Sequence, residues 1–521
     1  MINNLKKTFI KYFSDFKKWK KQNPRDFWIL FAILIIATIC RFYNITEYMT
    51  FLGDEGRDVI IVRRIFTEFH PPLIGPGTSI GGMYLGPLYY YMMAPALLLA
   101  NFSPIGPAVQ IAVLGVITVF LVWYVGRVWF GKTAGVIAAF LFAISPTVIT
   151  FSRSSWNPNI MPFFSIICMY SIWKVWKEKQ FKWLLVTGVT FAFVLQSHYL
   201  GLLLFPTIFI YYLLTYIKVR ASAENSNIFK YSLIGYGIFI LLMSPLAIFD
   251  LRHNFMNSRA MHQFFTVRQT TVSVRPWSAV PKVPALFVQI NQSLVTAANL
   301  DASKKVSLFI FLCVIYFIYK GYKNKKLIPE YAPYYFLALW MFFSLIGFGV
   351  YKQNIYDHYF GFVFVVPFLL LGGIFSRFLN KNIFTKLFAI VFIVYLVSIN
   401  LSKNPLKFHP NKQLQRSQNV ANKIISESAG QPFDLAVLAE RNYEDGYRYF
   451  LELSGATVLH ADRWDQKTIV DQLFVVCELE EKKCDPTHSP KAEVANFGMT
   501  KIDKQWVVDG VIIYKLSHAN K

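Results

Sequence analysis

Residues 26–40 read DFWILFAILIIATIC, an apolar run whose one charged group, Asp26, stands at its edge. The 26 residues up to that edge carry eight Lys or Arg against two acids, Asp15 and Asp26. No small-residue cleavage site follows, so the run reads as a signal anchor with a cytoplasmic N-terminus rather than a removed leader. Arg41 can reach out at the far interface. Working outward, further apolar runs occupy about 84–100, 108–126, 134–150, 160–173, 183–197, 199–217, 231–249, 306–319, 333–350, 359–375 and 384–401. Each approaches the ~20 residues that a bilayer-spanning helix needs. The whole composition agrees: 55% of the 521 residues are hydrophobic, 17% aromatic and only 16% charged. Such a chain does not fit a soluble enzyme with one or two cores, a disordered chain or a disulfide scaffold.

The formal net charge is +24. In a soluble protein that would raise nucleic-acid binding; here Lys and Arg flank apolar runs, as the positive-inside bias demands, and no nucleic-acid partner is expected. The basic turns 173–183, 217–220, 319–326 and 376–382 are expected to be cytoplasmic. Loops 152–159, 196–199, 250–305 and 351–359 then lie on the exoplasmic side, together with the tail. Counting every run returns the chain to its starting side, which contradicts the charges. The parity error lies between residues 58 and 134, where a missed span, a re-entrant piece or a false span would repair it.

From Ser402 the composition changes. Residues 432–440 look like a strand, 444–456 a helix, TVLHAD and QLFVVCEL strands, and 506–516 a hairpin turning on Asp-Gly. The expected architecture is an all-α polytopic membrane protein of about 11–13 transmembrane helices with a C-terminal soluble α/β domain. Its parts are a basic N-terminus (1–26), a membrane domain (27–401, with exoplasmic loops 42–83 and 250–305) and the tail (402–521). Cys477 and Cys484 are the cysteines outside apolar runs; on an exoplasmic face they could close a disulfide or stay free.

The first exoplasmic stretch carries the densest chemistry. Asp54, Glu55, Arg57 and Asp58 follow Gly53, and VIIVRRIFTEF continues as an amphipathic helix. Acids at a membrane face can simply solvate the interface; a carboxylate pair at the mouth of a bundle can also act as a general base. The stretch GPGTSIGGMYLGP lacks the GK[ST] of a phosphate loop. It reads as a loop that lets backbone approach a bulky ligand, or that moves as a lid.

The order GDEGRD, then HPPL and GPLYYY, resembles the GT-C membrane glycosyltransferases, and within them the protein mannosyltransferase and aminoarabinose transferase families that use polyprenyl-phosphate sugars. FSRSSWNPN, QSHYLGLLLFP, SPLAIFDLRHNF and DHYFGFVFVVPFLLLG add to the likeness, which runs over most of residues 25–400. The resemblance implies that Asp54 is the base deprotonating an acceptor hydroxyl and that Glu55 orients the acceptor or a metal. It also implies displacement at the anomeric carbon with inversion. The aminoarabinose transferases carry a further acid before their Pro-Pro; here that place is His70, a departure where a metal assignment would rest. No cofactor is certain, a divalent metal is possible, and the donor substrate is a lipid-phosphate-linked sugar.

Expulsion of a phosphate monoester requires fixed cations. Residues 251–300 hold Arg252, Arg259, Arg268, Arg275 and Lys282 with no acid; against the positive-inside bias, either the topology is inverted there or the loop binds phosphate, and phosphate binding is the preferred reading. Pro276, Pro281 and Pro284 forbid one continuous helix through it. Candidate donor-phosphate or substrate-binding residues are Arg57, Asp58, Arg153, His198, Arg252, His253, Lys352 and His358. Arg153 is placed either on the donor phosphate, on Asp54 or at the interface; His198 is either a phosphate donor or a polar cap. Asp250 is expected to pair with Arg252 and His253, and Lys352, Asp357 and His358 to cluster. Tyr89–Tyr91 are expected in the interfacial belt or stacked on a sugar. The function expected is transfer of a sugar from a polyprenyl-phosphate carrier to an acceptor glycan, lipid or protein outside the membrane. The alternative is a transporter or flippase of lipid-linked saccharides, which would place ionisable residues deep in its spans.

Overall fold

The computed structural model describes residues 14, 17–79, 81–222, 224–267, 271–273 and 275–519. Most of the basic N-terminal segment and Arg268 lie outside the described residues. Among the described residues six helices are long and apolar enough to cross a membrane, or seven when the bent pair Asp357–Val363 and Val365–Leu379 counts as one. Leu88–Leu99, Lys132–Ile144 and Trp183–Ser197 are shorter and also apolar, and Pro24–Phe42 carries the first apolar run. The apolar runs of the sequence are largely helical, because in lipid a backbone must satisfy its own hydrogen bonds.

Two ends of the bundle are marked by polar contacts. At one end Arg127 pairs with Asp26 at 2.5 Å, Lys179 with Glu224 at 2.8 Å and Arg377 with Glu330 at 2.6 Å. At the other end Arg153 meets Tyr43, Asn157 meets Ser197, Tyr84 meets Asn257 and Asn400 meets Val295. The short helix Leu88–Leu99 begins and finishes at this second end. Leu88 N donates to Gln196 Oε1 near its start, and past its finish Phe102 O accepts from Tyr449 of the tail. It packs beside the tail and does not cross the bundle. The run at 84–100 therefore does not carry the chain from one of these ends to the other.

In the tail, β1 (Phe433–Leu438), β2 (Val458–Leu459), β3 (Gln472–Cys477), β4 (Thr500–Val508) and β5 (Val511–His518) form one sheet in the order β2-β1-β3-β5-β4. β1 runs parallel to β2 and β3, and β5 is antiparallel to β3 and β4. Asp509 and Gly510 turn the β4–β5 hairpin with φ of 46° and 82°, the left-handed backbone that an Asp-Gly turn supplies. Cys477 and Cys484 are joined in a disulfide. A further helix, Gln413–Ser428, lies outside the sequence expectation.

The tail is not packed by itself. Phe433, Tyr447, Tyr449, Phe450 and Phe474 share one buried cluster with Phe51, Val59, Ile60, Val62 and with Tyr89, Tyr90, Met93 and Leu97 of the short helix. Helix Gly53–Thr67 is thus sandwiched between the bundle and the tail rather than lying on the membrane surface. Tyr89 and Tyr90 are likewise interior anchors, not belt residues: they bond Ser155 at 2.7 Å and Asp58 at 3.1 Å.

Candidate active site

The acidic motif begins helix Gly53–Thr67, and Glu55 shows why the helix starts there. Its Oε2 accepts from the Leu52 amide at 3.0 Å, returning to a free donor of the first turn. Glu55 is consequently buried, and that burial raises its pKa to about 7. The carboxylate faces its own helix start and is absent from the cavity wall.

Asp54 and Arg57 lie one turn apart and face a cavity of about 230 Å³. Arg57 Nη1 donates to Asp54 Oδ1 at 2.8 Å, while its Nη2 and Nε donate to Asp58 Oδ1 at 2.7 and 3.0 Å. Asp58 is fully buried behind the guanidinium; burial raises its pKa to about 6 against the opposing pull of Arg57. The remaining wall comes from distant loops: Gly77–Ser79, Trp156–Pro158, His198–Tyr199 and His358–Tyr359. The glycine-rich stretch is a tight hairpin here, with Thr78 N bonded to Met83 O at 2.9 Å and Leu85 N to Pro76 O at 2.9 Å. A second cavity of about 340 Å³ shares Ser79 and Tyr359 with the first and is lined further by Phe264, Thr271, Tyr351, Gln353, Asn354 and Tyr356.

His198 is buried, and desolvation followed by the nearby His358 lowers its pKa to about 3. It is neutral, and its Nδ1 accepts from the Leu200 amide at 3.2 Å. That leaves the ring's other nitrogen, Nε2, as the donor. His198 thus caps a helix and lines the cavity at once. The His358 ring lies tilted 4.5 Å from Trp156 and edge-on 6.2 Å from His198.

Four sequence candidates therefore meet at one cavity: Asp54, Arg57, His198 and His358. Arg153 does not join them. Its guanidinium donates to Cys40 O at 2.8 Å and Tyr43 O at 2.6 Å, closing the carbonyl end of the first helix. Asp250 accepts from the Asn257 and Ser258 amides at 2.7 and 3.2 Å, so it caps helix Met256–Thr266 instead of pairing with Arg252 and His253. Arg252 and His253 are exposed; the His253 ring stacks on Phe249 at 4.0 Å. Lys352 is exposed and its amide donates to Thr271 O at 2.9 Å. The Asp357 and His358 side chains turn to Ser293 and to the cavity. His70 is exposed and away from the cavity.

Among the described residues no group of three His, Cys, Asp or Glu gathers to hold a metal ion. The donor set argues the same way: Asp54 and Asp58 are held by Arg57, and Glu55 by a backbone amide. The acids present do not fit a metal site.

Sequence reasoning missed the tail's share. Tyr443 Oη donates to Asp54 Oδ1 at 2.7 Å, and Asn442 Oδ1 accepts from the Gly53 amide at 2.8 Å. A Cβ on Gly56 would stand 2.3 Å from the backbone of Asp445, so glycine there is what lets helix Asp445–Leu453 dock. The signal was present only as two glycines flanking the acids.

Residues 85–249 match the family of dolichyl-phosphate-mannose-protein mannosyltransferases. No curated protein matches the chain in sequence. Among solved structures it is similar to the oligosaccharyltransferase AglB of Archaeoglobus fulgidus in complex with an inhibitory peptide and a dolichol-phosphate. That likeness has 16% identity and a TM-score of 0.54, over 89% of this chain and 70% of the other. It is also similar to ArnT from Cupriavidus metallidurans bound to undecaprenyl phosphate, with 10% identity and a TM-score of 0.59 over 95% of this chain and 98% of that one. The chain has the fold of these GT-C membrane enzymes.

Proposed function

We propose that this chain is an integral-membrane glycosyltransferase that takes a sugar from a polyprenyl-phosphate carrier and places it on an acceptor outside the membrane. Asp54 is the general base and Glu55 supports it from behind by holding the helix start. The observation that carries this reading is the state of the Asp54 carboxylate. Both of its protein hydrogen bonds fall on Oδ1, so Oδ2 is the oxygen available to an acceptor hydroxyl in the cavity. The acceptor oxygen, as its proton passes to Asp54, forms the new bond at the anomeric carbon. The carbon–phosphate oxygen bond breaks on the opposite side, and the lipid phosphate departs with the electron pair; a single displacement of this kind inverts the centre.

Arg57 is committed to two carboxylates, so the leaving phosphate needs other donors. The reading puts it toward the second cavity, beside Thr271 of the basic loop. There Lys352 is tied to Thr271 through its amide, and Lys282 donates to Tyr351 O at 3.1 Å. His198 Nε2–H adds a neutral donor on the shared side. Structures of the same fold bound to dolichol-phosphate and undecaprenyl phosphate support the donor class. The Cys477–Cys484 disulfide supports an exoplasmic tail, since such bonds persist in oxidising compartments.

The test is radiolabelled transfer from polyprenyl-phosphate sugars in proteoliposomes, comparing the native chain with Asp54→Asn. Loss of about a thousandfold in kcat is expected from removal of a general base. Undiminished transfer by a folded Asp54→Asn chain would overturn the assignment. Lipid crossing the bilayer with no transfer over a broad donor and acceptor panel would establish a transporter instead.

A further inference from the structure

The contact between Tyr443 and Asp54 joins residues 389 positions apart, and the acidic motif does not account for it. Tyr443 Oη donates to Asp54 Oδ1 at 2.7 Å; Arg57 Nη1 donates to that same oxygen at 2.8 Å and to Tyr443 Oη at 3.3 Å. Three groups thus close a ring around one carboxylate oxygen. The backbone is shaped for the arrangement. A Cβ on Gly53 would lie 2.5 Å from the Tyr443 ring, and one on Gly56 would lie 2.3 Å from the Asp445 backbone. Asn442 fastens the same turn to the Gly53 amide.

A carboxylate held by a single flexible arginine can rotate and exchange its two oxygens. A second donor from a different element removes that freedom, and a base must hold its lone pair within reach of the proton it takes. We propose that Tyr443 is a positioning residue of this site: its hydroxyl, delivered by the tail, locks Asp54 with Oδ1 toward the protein and Oδ2 toward the cavity. The inference rests on the reading of Asp54 as general base. It makes the tail a component of the active site, because a chain with its tail displaced keeps every acid and loses the geometry.

Full-length chain in proteoliposomes, with whichever polyprenyl-phosphate sugar supports transfer in the Asp54 assay, tests this. Tyr443→Phe keeps the ring against Gly53, so its thermal unfolding should match that of the native chain. Its kcat should fall about tenfold or more, with donor and acceptor KM within about twofold, as expected for loss of a hydrogen bond to a charged group. Gly56→Ala, which forces the Asp445 backbone away, should reproduce the kcat loss with Tyr443 and Asp54 intact. A readout without substrate is the ultraviolet resonance Raman difference between native and Asp54→Asn chains. It should contain a tyrosine-to-carboxylate hydrogen-bond feature that is missing in the Tyr443→Phe background. Native kcat in Tyr443→Phe, a change in KM alone, or survival of the Raman feature would each overturn the positioning role. Transfer by Asp54→Asn is a different result: it removes the base reading, and the positioning role falls with it even where the Raman contact persists.

Discussion

Residues 53–58 and 251–282 are the two stretches of concentrated charge between the apolar helices on one side of the bundle, and they are built in opposite ways. In residues 53–58 four ionisable groups are packed against one another and against the tail. In residues 251–282 the described arginines are exposed and scattered, and Arg252 touches no acid among the described residues. Both stretches stand out equally in the sequence. The difference teaches that charge density alone does not locate a site; what marks the first loop is that its charges find partners across the fold, in a place where desolvation makes those partnerships strong.

The comparison can be broken most directly at Arg57. Its removal leaves Asp58 buried without a cation, which should cost about 3 kcal/mol of stability. Thermal unfolding of Arg57→Ala in detergent would show this as a large drop, and Arg57→Ala with Asp58→Asn should recover most of it. An Arg57→Ala chain as stable as the native one would mean the pair is solvated and the first loop no different from the second.

Glu55 offers a finer test through pH. Its pKa, raised by burial from the ordinary 4.5 to about 7, means that the folded chain keeps a proton the unfolded chain gives up. The stabilising contribution of this group is therefore complete below pH 4.5 and is lost as pH rises to about 7. Glu55→Gln cannot ionise, so relative to the native chain it should gain stability across that window, by at most about 3 kcal/mol. A difference in Tm that stays flat from pH 5 to 8 would show that Glu55 is not desolvated.

The smallest effect is expected in the second loop. Arg252→Ala should change stability by less than about 0.5 kcal/mol and donor KM by less than about twofold. A tenfold rise in donor KM would place the phosphate on that arginine and erase the contrast between the loops.

How much of this was legible beforehand differs by element. The apolar runs marked the long apolar helices of the bundle, and the tail's β1, β3 and terminal hairpin were readable from β-rich runs and an Asp-Gly turn. Helix Gln413–Ser428 was not read. Its buried positions Leu414, Ser417, Val420, Ala421, Ile424 and Ser428 follow helical spacing, yet three of them are Ser or Ala and give little hydrophobic contrast. Asp54 was legible as a cavity-lining acid because it stands in a dense acidic motif between apolar runs, whereas Arg153 misled because a guanidinium at a helix end serves a phosphate or a carbonyl equally well.

The sequence by itself determined what depends on run length and local chemistry: a bundle of apolar helices, a tail of different composition with its own strands, and the acidic motif that opens helix Gly53–Thr67. Only the tertiary structure decided that the run at 84–100 does not cross the bundle, since its composition matches that of the true spans and only the position of its two ends differs. The same holds for the partnership of Asp54 with Tyr443. A hydrogen bond between residues so far apart is set by how two folded units dock, and no local propensity records it.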